Sequence, residues 1–274
     1  MVAQPPVSQA LVPGTELLRP QWLAERIADM GISWGTSNSR VSGTLWWCMA
    51  ASSLVAPIVT AIAADHPAFN PALEHIALEI RPDGGVERVV PEPHAYSIAL
   101  SPALLSTSSS LASMADHAAG LAADRAVGLE PAPSAQTAES AASAVNCAHP
   151  EPHSAACCTT TPIGQALRHT LSRVIPVVAE VSGAGVPSLW AIVADAIGNR
   201  ALDIGAADAG ARLARDVAGR LPVPRFQDIA GRTFVRRISC CLVFEVPGCD
   251  MCTSCPKRPA PEREALLAEV AARG

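Results

Sequence analysis

Aromatic side chains are scarce, with one tyrosine, four phenylalanines and five tryptophans in 274 residues, so the core must be built from aliphatic residues and alanine. Charge is scarce too. Only 16% of residues are Asp, Glu, Lys or Arg, and the net charge of -5 provides none of the basic excess on which nucleic-acid or anionic-membrane binding rests. No Gly-rich dinucleotide fingerprint, P-loop or HExxH run is present, and Gly183-Ala184-Gly185 lacks both the third glycine and a preceding strand. Built-in nicotinamide, nucleotide-hydrolysing and zinc-protease chemistry are thereby excluded. Met1 is not followed by the basic patch, apolar run and small-residue cleavage site of a secretory signal, so the expectation is a cytoplasmic, reducing compartment.

What is present is patterned apolar sequence with hydrophobic content of 49%, enough for a real core. Residues 1–15 carry three prolines and little periodicity and read as a mobile arm. Pro20 to Met30 places Trp22, Leu23, Ile27 and Met30 on one helical face, with Gly31 as its stop. From Val41 to Ala64 no charged residue appears. That run is long enough to cross a bilayer, but its serines, threonines and Pro57 favour a buried core helix kinked near the proline. Leu73 to Val90 alternates on both sides of Asp83-Gly84-Gly85 and predicts a hairpin, and Leu104 to Leu129 is weakly helical. Residues 130–161 hold almost no large apolar side chain and cannot offset chain entropy; Cys157 and Cys158 lie in this low-complexity insert. Helices are expected over Gln165 to Ala179, Pro187 to Arg200 with Gly198 at its end, and Ala206 to Leu221, with a charged helix from Pro261 to Arg273 closing the chain.

The expected fold is therefore α+β, mainly helical, with a small antiparallel sheet and a C-terminal cysteine-rich segment. Its regions are the arm at 1–15, helices and hairpin at 16–129, the insert at 130–161, a helical platform at 162–228, the cysteine segment at 229–258 and a last helix at 259–274.

Five of the nine cysteines fall between Cys240 and Cys255. In a reducing compartment such clustering points to metal or redox work rather than to disulfides. Cys252 and Cys255 have the spacing of a chelating turn, while Leu242 to Val246 reads as a strand and Pro247-Gly248 as a reversal that returns this turn to Cys240 and Cys241. Vicinal residues of a regular strand point to opposite faces, so Cys240 and Cys241 need an irregular backbone or a wide centre. Two irons bridged by sulfide suit them better than one zinc ion, which would crowd both into one small sphere; a zinc knuckle stays the alternative. Cys249 is a fifth thiol, and on spacing alone a Cys249–Cys252 pair competes with Cys252–Cys255.

The pattern Cys-Cys, ten residues, Cys, two residues, Cys, with arginines just ahead and an apolar stretch and Pro-Gly in the gap, resembles the C-terminal signature of the FhuF-type siderophore-iron reductases. The resemblance is specific over about twenty residues, and the helix around Leu189-Trp190 is similar to the family's middle region. It implies that Cys240, Cys241, Cys252 and Cys255 bind a 2Fe-2S cluster, with the insert and Cys249 as departures from the family pattern. It further implies a ferric-siderophore reductase that passes one electron to chelated Fe(III) and releases Fe(II). A non-enzymatic iron-sulfur carrier or redox sensor is the rival reading. A reductase needs a concavity reaching the cluster edge, whereas a sensor needs a flat exposed face.

Arg232, Arg236, Arg237, Lys257, Arg258 and Arg263 form a basic collar around the cysteines. Arg236, Arg237, Lys257 and Arg258 are the candidate docking residues for an anionic ferric siderophore or an acidic donor. With no nucleotide site of its own, the chain needs an external electron donor such as a ferredoxin or flavoprotein, and contact with the inner face of the cytoplasmic membrane stays open. His66, His75 and His94 stand singly and read as surface or capping residues rather than ligands.

Overall fold

The computed structural model describes residues 11–91 and 161–273, which pack as one unit. The expected helix at 104–129, the insert with Cys157 and Cys158, and His94 lie outside the described residues.

Helix α1 (Pro20–Trp34) starts with proline in its first turn and buries Leu23, Ile27 and Met30, as their spacing requires. It passes Gly31 and stops at Gly35, which takes the left-handed conformation at φ 67°. Gly31 is retained inside the helix because a β-carbon there would lie 2.8 Å from the Thr36 carbonyl. Asn38 then caps α2 (Ser39–Ala63), its side chain accepting from the Arg40 and Val41 amides. Among the described residues α2 alone is long and apolar enough to cross a membrane. Both faces of its first turns are buried within the fold, against α1, α3 (Pro162–Ser182) and α4 (Val186–Asp203). The adjacent indoles of Trp46 and Trp47 find partners on opposite sides: Trp46 Nε1 donates to the Gly84 carbonyl and Trp47 Nε1 to the Leu189 carbonyl, each at 2.9 Å. A buried indole that hydrogen-bonds protein on both sides describes a core helix.

Close approach of α2 to α3 rests on Gly43, where a β-carbon would come 2.2 Å from Ser182 Cβ. Gly43→Ala is expected to force the helices apart and cost about 1–3 kcal/mol, read as a lower urea midpoint at unchanged slope.

Strands β1 (Leu11–Pro13), β2 (Ile76–Ile80) and β3 (Val86–Pro91) form an antiparallel sheet in that order, with Val12 opposite Leu78 and Leu78 opposite Val89. The expected arm at 1–15 is thus corrected at its far end: Leu11–Pro13 pairs with β2, and a 3-10 turn over Gly14–Leu18 buries Leu17. Edge pairing holds a strand whose own sequence is too short to show alternation. The expected hairpin turn forms at Asp83-Gly84-Gly85, with Gly84 at φ 79° and tight against α1, where a β-carbon would meet the Arg26 carbonyl at 2.4 Å.

The platform consists of α3, α4 and α5 (Ala207–Val217). Gly198 does not end α4, which runs on to Asp203; a β-carbon at Gly198 would lie 3.0 Å from Val235 and 3.1 Å from Pro224, so the glycine makes room for the chain that crosses it. That chain is a hairpin of β4 (Phe226–Ile229) and β5 (Arg232–Val235), turned by Ala230 and Gly231 at φ 50° and 81°. It leads into the cysteine segment, and α6 (Ala260–Arg273) follows.

Candidate metal centre

Leaving β5, the chain is gripped by a single carboxylate. Asp195, 4% exposed on α4, accepts from the Ile238 amide at 3.1 Å, from the Ser239 amide at 2.9 Å and from the Ser239 hydroxyl. An unpaired buried carboxylate would be costly; here three donors and the Arg237 guanidinium, whose Nε lies 3.6 Å away, compensate it. The residues immediately before Cys240 are thereby fixed to the platform.

The backbone then bends sharply. Leu242, buried at 7% exposure, takes the left-handed conformation at φ 62°, and Val243–Glu245 form one 3-10 turn. The strand expected over Leu242 to Val246 is therefore corrected. The bent chain buries the apolar side chains of both Leu242 and Val246. Glu245 is tied to the start of α2 by Arg40 at 2.6 Å, and Phe244 lies beneath Lys257, whose Nζ is 4.9 Å from the ring centre. The reversal expected at Pro247-Gly248 is present, with Gly248 at φ 78° and the Cys249 amide donating to the Val246 carbonyl at 3.1 Å. Cys252 to Cys255 closes as a tight turn through a 3.1 Å bond from the Cys255 amide to the Cys252 carbonyl.

Two of the outer thiols meet directly, Cys240 Sγ lying 3.7 Å from Cys255 Sγ. Cys241 and Cys252 are the other neighbours, close enough to shift each other's pKa. Two thiolates on one tetrahedral metal at about 2.3 Å stand about 3.8 Å apart, whereas a disulfide closes to about 2.05 Å. The observed separation fits metal sharing. Four thiols brought together in one segment are the donor set a two-iron centre takes, and the left-handed Leu242 directly after Cys241 is the backbone irregularity that vicinal cysteines need there. Cys249 stands outside both pairs.

The surroundings of the sulfurs are asymmetric. The Leu242 amide points at Cys240 Sγ from 3.4 Å, and burial raises the pKa of that thiol. Arg237 Nη1 approaches Cys252 Sγ at 3.6 Å. A hydrogen bond from Cys252, helped by the Val243 amide and the Arg237 charge, lowers Cys241 to about 5 against the cost of its burial, and the same pairing with Cys241 raises Cys252. Both thiols must be deprotonated to bind metal, so ligation releases protons here. For Arg237 itself burial works against the charge, but Cys241, Cys48, Asp195 and Cys252 together outweigh it and raise its pKa.

Of the docking candidates, Arg236 and Lys257 are exposed, whereas Arg237 turns inward onto the sulfurs and Arg258 donates to the Met251 carbonyl and to Glu262, bracing the loop against α6. Sequence reasoning missed Asp195 and Cys48. Asp195 had a visible signal, being an acid within the apolar face Ile192, Val193, Ala196, Ile197 of α4. Cys48 lies on α2 behind the segment, and burial pushes its thiol up to about 12. With Asp195, Arg200, Asp203, Arg237 and Ser239 it lines a cavity of about 320 Å³ that reaches the residues flanking the sulfurs.

No curated protein and no solved structure matches the chain significantly. Residues 237–257, which contain all four paired thiols, match the FhuF 2Fe-2S C-terminal domain. On that match the cofactor of this segment is a 2Fe-2S cluster, and the cysteine-rich terminus is similar to the FhuF family's iron-sulfur domain.

Proposed function

We propose that Cys240 and Cys255 hold one iron of the cluster, Cys241 and Cys252 the other, and that the chain is a ferric-siderophore reductase. The observation that carries the reading is the pairwise meeting of the thiols, Cys240 and Cys255 at 3.7 Å, in a segment whose remaining sulfurs are only partly buried. When bound, the cluster supplies one-electron transfer and no bond chemistry of its own. The chain's residues do the rest. Asp195 and Arg40 fix the loop, so the sulfurs need not reorganise, and partial exposure leaves an edge open to a partner. Exposed Arg236 and Lys257 favour an anionic ferric chelate. One electron from an external ferredoxin or flavoprotein reduces siderophore-held Fe(III) to Fe(II), whose lower charge weakens the hard-oxygen grip and releases it. The reducing cytoplasm is the compartment in which this set of thiols would operate.

Stopped-flow mixing of dithionite-reduced protein with hydroxamate and catecholate ferric chelates, with an Fe(II) chromophore present, tests this reading. One Fe(II) should appear for each reduced protein reoxidised. A protein that stays reduced against every chelate yet passes its electron to another protein is a carrier or sensor instead.

A further inference from the structure

The two halves of the centre do not see the same charge. Arg237 is 16% exposed, and its Nη1 lies 3.6 Å from Cys252 Sγ. Its own counter-ion is only half engaged with it: Asp195 is taken up by the Ile238 and Ser239 donors, Arg237 Nε stands 3.6 Å from that carboxylate, and that nitrogen has no hydrogen-bond partner. On the other side, Cys255 is buried at 1% exposure, and Cys240 receives a neutral amide at 3.4 Å. A guanidinium and an amide differ in kind, since hydrogen bonds from an ionised donor are roughly twice as strong as neutral ones. Reduction adds one negative charge to the cluster. That charge is stabilised most where a desolvated cation lies nearest.

We propose that Arg237 directs the added electron onto the iron held by Cys241 and Cys252, making that iron the Fe(II) site and the Cys240–Cys255 iron the one that stays Fe(III). The assignment rests on the ligand pairing proposed above. In the step itself one electron enters from an external donor, one of two Fe(III) ions becomes Fe(II), and no bond is made or broken. Arg237 acts as a positioning residue through its fixed charge, and it keeps its proton throughout.

The test uses the full chain with its cluster, reduced by dithionite. The temperature dependence of the paramagnetically shifted cysteine β-protons separates ligands of Fe(II) from ligands of Fe(III), and a redox titration reads the potential. In the wild type, Cys241 and Cys252 should supply the Fe(II)-type protons. Arg237→Gln should make reduction about tenfold less favourable, a potential ~59 mV lower for a one-electron couple, and blur the two proton sets. Arg237→Lys should restore most of the potential, and Arg212→Gln, which alters an exposed arginine on α5, should leave both readouts unchanged. Fe(II)-type protons on Cys240 and Cys255, or an Arg237→Gln protein with intact cluster and wild-type potential, overturns the proposal while leaving the pairing standing. If Arg237→Gln does not retain a cluster, the wild-type proton assignment and the Arg237→Lys titration decide. A wild-type chain in which Cys249 carries shifted protons overturns the pairing and the proposal together.

Discussion

Replacing any one of Cys240, Cys241, Cys252 or Cys255 by serine is expected to abolish or severely bleach the visible absorption of the purified protein, with iron content falling at least several-fold. In the proposed pairing each thiol is half of a two-sulfur grip, as the 3.7 Å approach of Cys240 to Cys255 illustrates, so losing one would leave an iron with a single protein thiolate. Serine can replace the volume but binds iron far less well, because its hydroxyl is not ionised near neutral pH. Cys249→Ser and Cys48→Ser, which lie outside both pairs, should retain full colour. The absorbance spectrum and iron per chain of the six variants are the readouts. A bleached Cys249→Ser beside a fully coloured Cys255→Ser would transfer the ligand role to Cys249.

Second in size is Asp195. Its carboxylate holds the Ile238 and Ser239 amides and the Ser239 hydroxyl in a site 4% exposed and balances Arg237. Asp195→Ala leaves those three donors without their acceptor and a mostly buried guanidinium without its nearest carboxylate, a change worth about 3–5 kcal/mol of stability when a buried pair is broken. Asp195→Asn keeps one acceptor oxygen and should cost less, about 1–3 kcal/mol. Urea titration of both variants checks the order. The cluster should be lost from the alanine variant well before global unfolding, because the segment it frees ends in the first ligand pair. Equal stability of all three proteins would mean that the loop is held by α2 and α6 rather than by α4.

Much of this was written in residue spacing. The helical faces of Leu23, Ile27 and Met30 and of Leu189, Val193 and Ile197, and the hairpin at Asp83-Gly84-Gly85, follow from local periodicity and turn chemistry, and all are present. The expected mainly helical α+β class with small antiparallel sheets holds for the same reason. The cysteine pattern was visible because vicinal and two-apart thiols are local features. What was hidden depends on partners distant in the chain. Nothing near Leu242 says that it will turn left-handed; that follows from burying Leu242 and Val246 while Glu245 reaches Arg40, 205 residues away. Gly198 resembled a stop signal because its true partners, Val235 and Pro224, are far along the sequence. The arginines around the cysteines looked alike as charges. Their division into the exposed Arg236, the sulfur-facing Arg237 and the bracing Arg258 is set by tertiary direction alone.

The most direct measurement is the metal and sulfide content of protein purified without oxygen, joined to its Mössbauer spectrum before and after reduction. The expected result is two irons and two inorganic sulfides per chain, with one Fe(III) becoming Fe(II) on uptake of a single electron. Zinc without sulfide, or one iron in an all-thiolate site, would contradict it, because four sulfurs arranged as two pairs would then be serving a single ion.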